Sequence, residues 1–198
     1  MPFLEADFFQ RDVVVVAREL IGAELVWNDC SGIIIETEAY AAEDDPACHT
    51  ASRPSAREFL HSKPPGAAYV YLNYGMHWLF NLLVKDGGRD GFILVRALEP
   101  RRGIEKMKYR RNREKTHDLC SGPGKLAQAL GINGSHHGLA MTGKNSRPCC
   151  GLKRSVLSSH QIVSDIRVGI SQAVNFPWRF LEQGNPSVSV AQGQVKPR

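Results

Sequence analysis

The sequence lacks any apolar run close to the roughly 20 residues that a helix needs to cross a bilayer. Its first ten residues, MPFLEADFFQ, contain no basic segment followed by an apolar one, so we expect no signal peptide. The five cysteines are an odd number and lack the spacing of a disulfide framework. These absences argue against a membrane protein and a disulfide-rich secreted domain, and we expect reduced thiols in a cytosolic compartment.

Regular metal-binding and nucleotide-binding motifs are also absent, and no internal repeat or long linker divides the chain. His136-His137 and Cys149-Cys150 match no zinc pattern, because adjacent residues cannot easily both reach one tetrahedral ion. The segment SGPGK, residues 121–125, lacks the spacing of a phosphate loop. It is either a helix start that directs backbone N–H groups at a phosphate or a plain turn and cap. We expect no metal and no cofactor.

Charge is divided unevenly along the 198 residues, of which 42% are hydrophobic and 23% charged. Residues 1–60 hold 12 acidic and 4 basic side chains, whereas residues 61–198 hold 8 acidic and 21 basic ones. The basic excess is greatest over residues 101–115, which have eight cations and two anions. Such a field suits a polyanion, above all nucleic acid, although a solvated helix face has the same composition. The length fits one domain with a sizeable core.

The hydrophobic pattern predicts strands joined by short turns, with helices towards either end. We expect a helix over Asp12–Ile21, although its valines also suit a strand. The expected strands are Ala23–Trp27, Gly32–Tyr40, Ala67–Leu72, Trp78–Val84 and Phe92–Ala97. Two more helices are expected, from Pro100 towards Tyr109 and over Lys125–Leu130, with a long polar loop at 41–66 and irregular structure at 133–165. This order indicates an α+β fold with a largely antiparallel sheet.

The stretch GIIIETEAY, residues 32–40, ends a predicted core strand with two carboxylates and a tyrosine. Strand periodicity puts Glu36, Glu38 and Tyr40 on one face. Carboxylates beside a core are costly unless they are paired, solvated or functional. These two glutamates are therefore candidates for a reactive site.

Aromatic residues form a second candidate group, in the segment YVYLNYG at residues 69–75. Tyr69 and Tyr71 share one strand face, and Tyr74 falls at the predicted turn. Strand tyrosines are commonly buried amphipathic residues, but beside a basic surface they also serve as stacking platforms for nucleobases. His49 in the polar loop is, by itself, either a surface histidine or a catalytic one.

Together these segments resemble the alkyladenine DNA glycosylase (3-methyladenine DNA glycosylase) family of base-excision repair. The matches run in family order from about residue 8 to 190. They are Val16-Ala-Arg-Glu-Leu-Ile-Gly22, Glu36-Thr-Glu-Ala-Tyr40 followed by His49, Pro65-Gly66, Tyr69-Val-Tyr71-x-x-Tyr74-Gly-Met76, Asn81, Leu94-Val-Arg-Ala-Leu-Glu-Pro100, Leu119-Cys-Ser-Gly-Pro-Gly-Lys-Leu126, Arg167-Val-Gly169, Pro177-x-Arg-Phe180 and Gly184-Asn-Pro186. One stretch departs from the family pattern: Arg57-Glu58-Phe59-Leu60-His61-Ser62 stands where the family has R-N-x-x-M-F.

The resemblance implies a fold and a set of site residues. It implies one compact domain over residues 1–190, with a curved sheet rather than a helix-hairpin-helix architecture, and a frayed tail at 191–198. The implied site residues are Glu38 as general base, Tyr40, His49, Tyr71 and Asn81 in the base pocket, Tyr74 as the wedge in the duplex, Arg96 near the attacking water and Lys125 near the DNA backbone.

The implied function is hydrolysis of the N-glycosidic bond of an alkylated or deaminated purine that is flipped out of duplex DNA. We expect a monofunctional enzyme without lyase activity, because no lysine accompanies the Glu38 motif. We expect a monomer, cytoplasmic at the nucleoid in a bacterium or archaeon and nuclear in a eukaryote. Two alternatives are a non-catalytic protein that binds damaged DNA and an O-glycosidase that uses Glu36 and Glu38 as a pair.

Overall fold

Eight antiparallel strands form one curled sheet in the computed structural model, which describes residues 2–143, 150–154 and 161–195. The strands are β1 (Glu24–Trp27), β2 (Cys30–Ala41), β3 (Ala68–Asn73), β4 (His77–Val84), β5 (Gly91–Arg102), β6 (Cys150–Lys153), β7 (Ile162–Asp165) and β8 (Arg179–Glu182). Their order is β3-β4-β5-β2-β1-β6, while β8 pairs with β2 and β7 pairs with β8. The long strand β2 is therefore central.

Five α-helices accompany the sheet in the described residues, so the predicted α+β fold with an antiparallel, curved sheet is confirmed. They are α1 (Val13–Glu19), α2 (His49–Ser52), α3 (Pro54–Ser62), α4 (Ile104–Arg111) and α5 (Pro123–Leu130). Short 3₁₀ helices occur at Ala6–Phe9, Thr116–Asp118 and Gly134–His136. The architecture is that of a single sheet-based domain and not of a helix-hairpin-helix protein.

Local signals in the sequence account for the first elements. The Asp12 side chain accepts hydrogen bonds from the backbone N–H groups of Val14 and Val15, which caps α1. Burial of Val13 and Val16 shows why this valine run is a helix, because the two side chains share the face that packs on the core. The hairpins β1–β2 and β3–β4 also form where the turn residues predict them.

Three predictions of secondary structure were wrong, and one strand was not predicted at all. Residues 49–62 of the predicted loop form α2 and α3, and Pro54 takes the first helical position, where a missing N–H costs nothing. Pro100 lies inside β5 rather than opening a helix, and Gly103 caps α4 instead. The region at 133–165 contains β6 and β7 in its described part, and β8 was not predicted.

The core is continuous along the sheet, and a smaller cluster lies below the aromatic side chains. In the main cluster Trp27 packs edge-on against Phe80, with ring centroids 5.7 Å apart. The smaller cluster is formed by Cys48, Ala56, Phe59, Leu60, Ala67, Tyr69, Leu83 and Phe92. The boundary predicted at residue 190 stays a prediction; the backbone N–H of Gly193 donates to Asp165, and residues 196–198 lie outside the described chain.

Candidate active site

A cavity of about 240 Å³ opens beside β2, β3 and β5. Most of the predicted site residues line it. They are Tyr40, His49, Tyr71, Tyr74, Asn81 and Arg96, joined by Tyr69, Phe92, Pro123 and the segment Val168-Gly169-Ile170. Such a cavity, narrow and walled by aromatic rings with a few polar groups, suits a flat ring system.

Among the described residues Glu38 is not part of the cavity lining, and its side chain is fully buried; it is hydrogen-bonded to three residues that do line the cavity. Its Oε2 accepts hydrogen bonds from Tyr40 Oη at 2.7 Å and from Arg96 Nη1 at 3.1 Å. Its Oε1 accepts one from the backbone N–H of Val168 at 2.7 Å. All three partners are donors, which matches a carboxylate rather than a carboxylic acid. Tyr40 and Arg96 connect this carboxylate to the cavity that they line.

Glu36, the other carboxylate of the stretch, has a different environment. It accepts from Arg96 Nε at 2.9 Å, from Arg179 Nε at 2.8 Å and from the backbone and hydroxyl of Ser189. Burial opposes its ionisation, but the charges of Arg96 and Arg179 outweigh this effect and lower the pKa of Glu36. Glu36 therefore holds two arginines, and Arg96 bridges the two carboxylates.

The register of the sheet brings these groups together. β2 and β5 pair without interruption from Thr37–Val95 onwards, but the register shifts on both sides of Glu36. The shifts leave Ile35 on β2 and Arg96 on β5 without a residue directly opposite. Bulges of this kind change the direction of a side chain. Here they allow Arg96 to reach Glu36 and Glu38 at once.

The aromatic walls contact one another closely. The rings of His49 and Tyr71 have centroids 4.4 Å apart, and His49 Nδ1 lies 3.1 Å from Tyr69 Oη. Burial, with a smaller effect of the Arg53 charge, lowers the pKa of His49 to about 4. Burial also raises the pKa of Tyr71 and of Tyr40. All these wall residues are consequently neutral at pH 7.

Tyr74 lies at the tip of the β3–β4 hairpin, where it is 73% exposed. Its backbone has a φ of 49°, which is uncommon for a bulky residue. Leu72 and Met76, on either side of it, are also exposed. The tip therefore presents an apolar group to solvent at the rim of the cavity.

Asn81 and Lys125, the remaining predicted site residues, differ in their relation to the cavity. Asn81 is buried, lines the cavity and donates from Nδ2 to the backbone oxygen of Tyr69 at 3.0 Å. Lys125 Nζ donates to Ser121 Oγ at 3.1 Å, and the cavity is lined by nearby Pro123 rather than by Lys125 itself among the described residues. SGPGK thus forms the start of α5, and its proposed contact with DNA stays a prediction.

Several contacts at the site were not predicted. The Val168 donor is a backbone group, and residue type alone does not reveal such a group. Arg167 and Arg179 lie in two segments that match the family, Arg167-Val-Gly169 and Pro177-x-Arg-Phe180, but the sequence did not indicate what either arginine contacts. Glu58, His61 and Ser62, which depart from the family pattern, are exposed on α3, whereas Phe59 packs against Tyr69 with ring centroids 5.1 Å apart.

The part of the chain that the structure describes contains neither a metal-ligand cluster nor a membrane-spanning helix. No group of three or more His, Cys, Asp or Glu side chains there could hold a metal ion. Cys149, part of the motif considered for zinc, lies outside the described residues. In the same part of the chain, no helix is long and apolar enough to cross a membrane.

Fold and site define a sheet-based protein that can hold a flat aromatic ring next to a buried carboxylate. The model of the methylpurine-DNA glycosylase family matches residues 7–186. The chain is 43% identical over 189 residues to a protein of Rhodopseudomonas palustris named "Putative 3-methyladenine DNA glycosylase", covering 96% of this chain and 91% of the relative. A protein of Agrobacterium fabrum with the same name is 44% identical over 188 residues, covering 95% and 93%.

The chain belongs to the methylpurine-DNA glycosylase family. Its class is that of the DNA glycosylases, hydrolases that remove alkylated bases in base excision repair. The predicted family and enzyme class are therefore confirmed.

Proposed function

We propose that this chain flips an alkylated or deaminated purine out of duplex DNA and hydrolyses its N-glycosidic bond, leaving an abasic site. Glycosylases act on an extruded base because the reacting bond is inaccessible inside a stacked duplex. The observation that carries the proposal is the fully buried Glu38 carboxylate, held by three donors from Tyr40, Arg96 and Val168, all of which line an aromatic cavity.

Glu38 is the proposed general base. A carboxylate offers about four lone-pair sites, and the donors found among the described residues use three of them. The remaining site can accept a proton from water. The water oxygen then bonds to the sugar carbon, the bond from that carbon to the purine nitrogen breaks, and the base leaves with the electron pair. The negative charge also stabilises the cationic character that develops on the sugar.

A single carboxyl group is sufficient for a purine that is alkylated on a ring nitrogen. Ordinary glycosidases need a second one as an acid for the leaving group. An N-alkylated purine already carries a positive charge and leaves without further protonation. Glu36 accepts four hydrogen bonds, which counts against its service as a second reacting group and against the paired O-glycosidase alternative.

The walls of the cavity favour a cationic ring. Tyr40, His49 and Tyr71 are neutral at pH 7, as their shifted pKa values indicate. Electron-rich aromatic faces attract cations, and stacking on a base is worth about 1–3 kcal/mol per ring. The nearby Arg96 is paired with two glutamates, so its charge is compensated.

Tyr74 is the proposed wedge. Extrusion of a base leaves a gap in the stack, and insertion of an apolar side chain offsets part of the unstacking cost of a few kcal/mol. The exposed ring at the hairpin tip is in a position to do this. Basic side chains on the surface contribute phosphate contacts, so binding should weaken as salt increases.

One assay tests the catalytic proposal. Duplex oligonucleotides with one methylated purine, hypoxanthine or ethenoadenine are incubated with the protein, and abasic sites are then cleaved with alkali. We expect strand breaks only after alkali, since no lyase step is proposed. Glu38→Gln should abolish excision while leaving binding intact, because glutamine keeps the shape of the side chain without its basicity.

Other outcomes have distinct meanings. Binding of the duplexes by the wild type without release of any base would replace this proposal with the non-catalytic binding protein. Strand breaks before alkali would contradict simple hydrolysis. Tyr74→Ala should weaken binding and excision by about tenfold, given the stacking energy of one ring. Unchanged values for that variant would contradict the wedge.

A further inference from the structure

Asp45 and Arg167 form a further buried ion pair, separate from those of Glu36 and Glu38, and this pair contacts residues of the proposed active site. Both side chains are fully buried. Arg167 Nη1 donates to Asp45 Oδ2 at 2.6 Å, and Arg167 Nη2 donates to Asp45 Oδ1 at 2.8 Å. This two-point geometry fixes the plane of the guanidinium group as well as its position. A buried pair of this kind is weak evidence for stability by itself, so its contacts require explanation.

One contact of Arg167 is with Tyr40. The guanidinium carbon lies 4.6 Å from the centroid of the Tyr40 ring, and Nη1 also donates to the backbone oxygen of Ala39 at 2.9 Å. A cation over an aromatic face attracts the ring and restricts its rotation. The Tyr40 hydroxyl is the group that donates to Glu38 Oε2. Arg167 therefore restrains one of the donors to that oxygen.

A second contact runs through the backbone. Val168 directly follows Arg167 in the chain, and its N–H donates to Glu38 Oε1 at 2.7 Å. Fixing the Arg167 side chain fixes the position of this peptide group. Asp45, at the other end of the pair, also accepts from the backbone N–H groups of Ala41 and Ala47. The pair thus ties the end of β2 to the segment that carries the Val168 donor.

We propose that the Asp45–Arg167 pair is a positioning device that sets the orientation of the Glu38 carboxylate through both of its oxygens. One oxygen is controlled through the Tyr40 hydroxyl and the other through the Val168 N–H. Val168 lines the cavity, whereas Arg167 is absent from its lining in the described chain, so Arg167 acts without touching the substrate. This inference depends on the proposed role of Glu38 as general base.

Arginine is required for this arrangement. Its planar group can make two parallel hydrogen bonds at its edge while an aromatic ring lies against its face, but the ammonium group of lysine cannot do both. Arg167→Lys should therefore keep the charge and lose the fixed plane. The remaining donor to Glu38, Arg96, is held by Glu36 and does not depend on the pair.

The main test uses the double variant Asp45→Asn/Arg167→Gln, which leaves neither charge unpaired, beside the single variant Arg167→Lys. Single-turnover excision with enzyme in excess measures the chemical step. We expect a decrease of about 100-fold in the double variant and about tenfold in Arg167→Lys, as displacement of a catalytic group by about 1 Å produces. Affinity for a duplex with a reduced abasic site should not change.

Arg89→Met is the matched control. Like Arg167, Arg89 pairs with a carboxylate, that of Asp12 at 2.6 Å. Both guanidinium groups also lie near the Trp178 ring, that of Arg89 at 5.3 Å and that of Arg167 at 5.4 Å from its centroid. Within the described residues no hydrogen bond or ring contact joins Arg89 to Tyr40 or Glu38. Excision by this variant should equal that of the wild type.

Amide hydrogen exchange separates this proposal from the catalytic one. The peptide that contains Val168 should exchange faster in the double variant than in the wild type or in Arg89→Met, whether or not the protein excises a base. Inactive wild-type protein would refute the proposed function, and this exchange difference would still test the restraint. A folded double variant with wild-type excision and exchange would overturn the inference. Should the double variant fail to fold, wild-type excision by Arg167→Lys would overturn it.

Discussion

Replacement of Glu36 by glutamine should reduce stability without removing the proposed general base, whereas the same replacement at Glu38 should reduce stability and also abolish excision. The Glu36 carboxylate is fully buried and receives four hydrogen bonds, two of them from arginines. A glutamine amide would turn two donor hydrogens towards groups that are themselves donors. Removal of one partner of a buried ion pair typically costs about 3–5 kcal/mol.

The contacts of the two arginines narrow this range. Arg96 keeps its bond to Glu38, and Arg179 keeps its bond to Asp165 at 3.2 Å. Neither cation becomes unpaired, so we expect a loss near the lower limit, about 3 kcal/mol. For a domain of this size that corresponds to a decrease in melting temperature of about 6–12 °C. The loss is a large part of the about 5–15 kcal/mol that stabilises a typical domain.

Thermal and urea unfolding of the wild type, Glu36→Gln and Glu38→Gln measure the difference. Glu19→Gln is the control, because Glu19 forms an exposed pair with Arg11 that contributes about 0–1 kcal/mol. Excision is compared well below the melting temperature of each variant. A Glu36→Gln protein that is as stable as the control, or that is folded and as inactive as Glu38→Gln, would refute the division of roles.

Two further predictions concern pH and packing. In the folded protein the pKa of His49 is about 4, whereas in the unfolded chain it is 6.5. As the pH falls, the unfolded chain therefore binds a proton before the folded protein does, and the folded state loses stability between pH 6.5 and pH 4. Melting at pH 7 and pH 5 should show a loss from this source of about 1 kcal/mol, allowing for partial burial, that is missing in His49→Asn. A Cβ on Gly91 would lie 2.1 Å from the backbone oxygen of Tyr40, so Gly91→Ala should cost about 2–3 kcal/mol in urea unfolding. The first expectation would be contradicted if His49→Asn lost as much stability between pH 7 and pH 5 as the wild type does. The second would be contradicted by a Gly91→Ala protein of normal stability.

The sheet could be predicted from the sequence to the extent that its signals are local. The hairpin turns, the apolar strands and the Asp12 cap all lie within a few residues of the elements that they specify, and these elements were found. The helix α3 was missed because its proline and its two serines resemble a loop. Its buried Ala56, Phe59 and Leu60 have helical spacing, and that signal was available.

For the candidate site too, the sequence identified some residues and could not identify others. Residue types and the family resemblance selected Glu38, Tyr40 and the other cavity residues, and the structure brings most of them to one cavity. The partners of these residues could not be predicted, because they depend on distant pairing. Val168 is 130 positions away from Glu38, and Arg179 is 143 positions away from Glu36. Only the pairing of β8 with β2 places Arg179 beside that strand.

The central position of β2 determines how the protein loses activity when it is heated. Around Glu36–Glu38 the strand has hydrogen-bonded neighbours on both sides, β5 and β8, so these residues open only when most of the sheet opens. Tyr74, at an exposed hairpin tip, belongs to the part of the chain where local fluctuations cost least. Heat should thus weaken engagement of the duplex by the proposed wedge first, whereas the proposed general base keeps its geometry until the fold itself is lost.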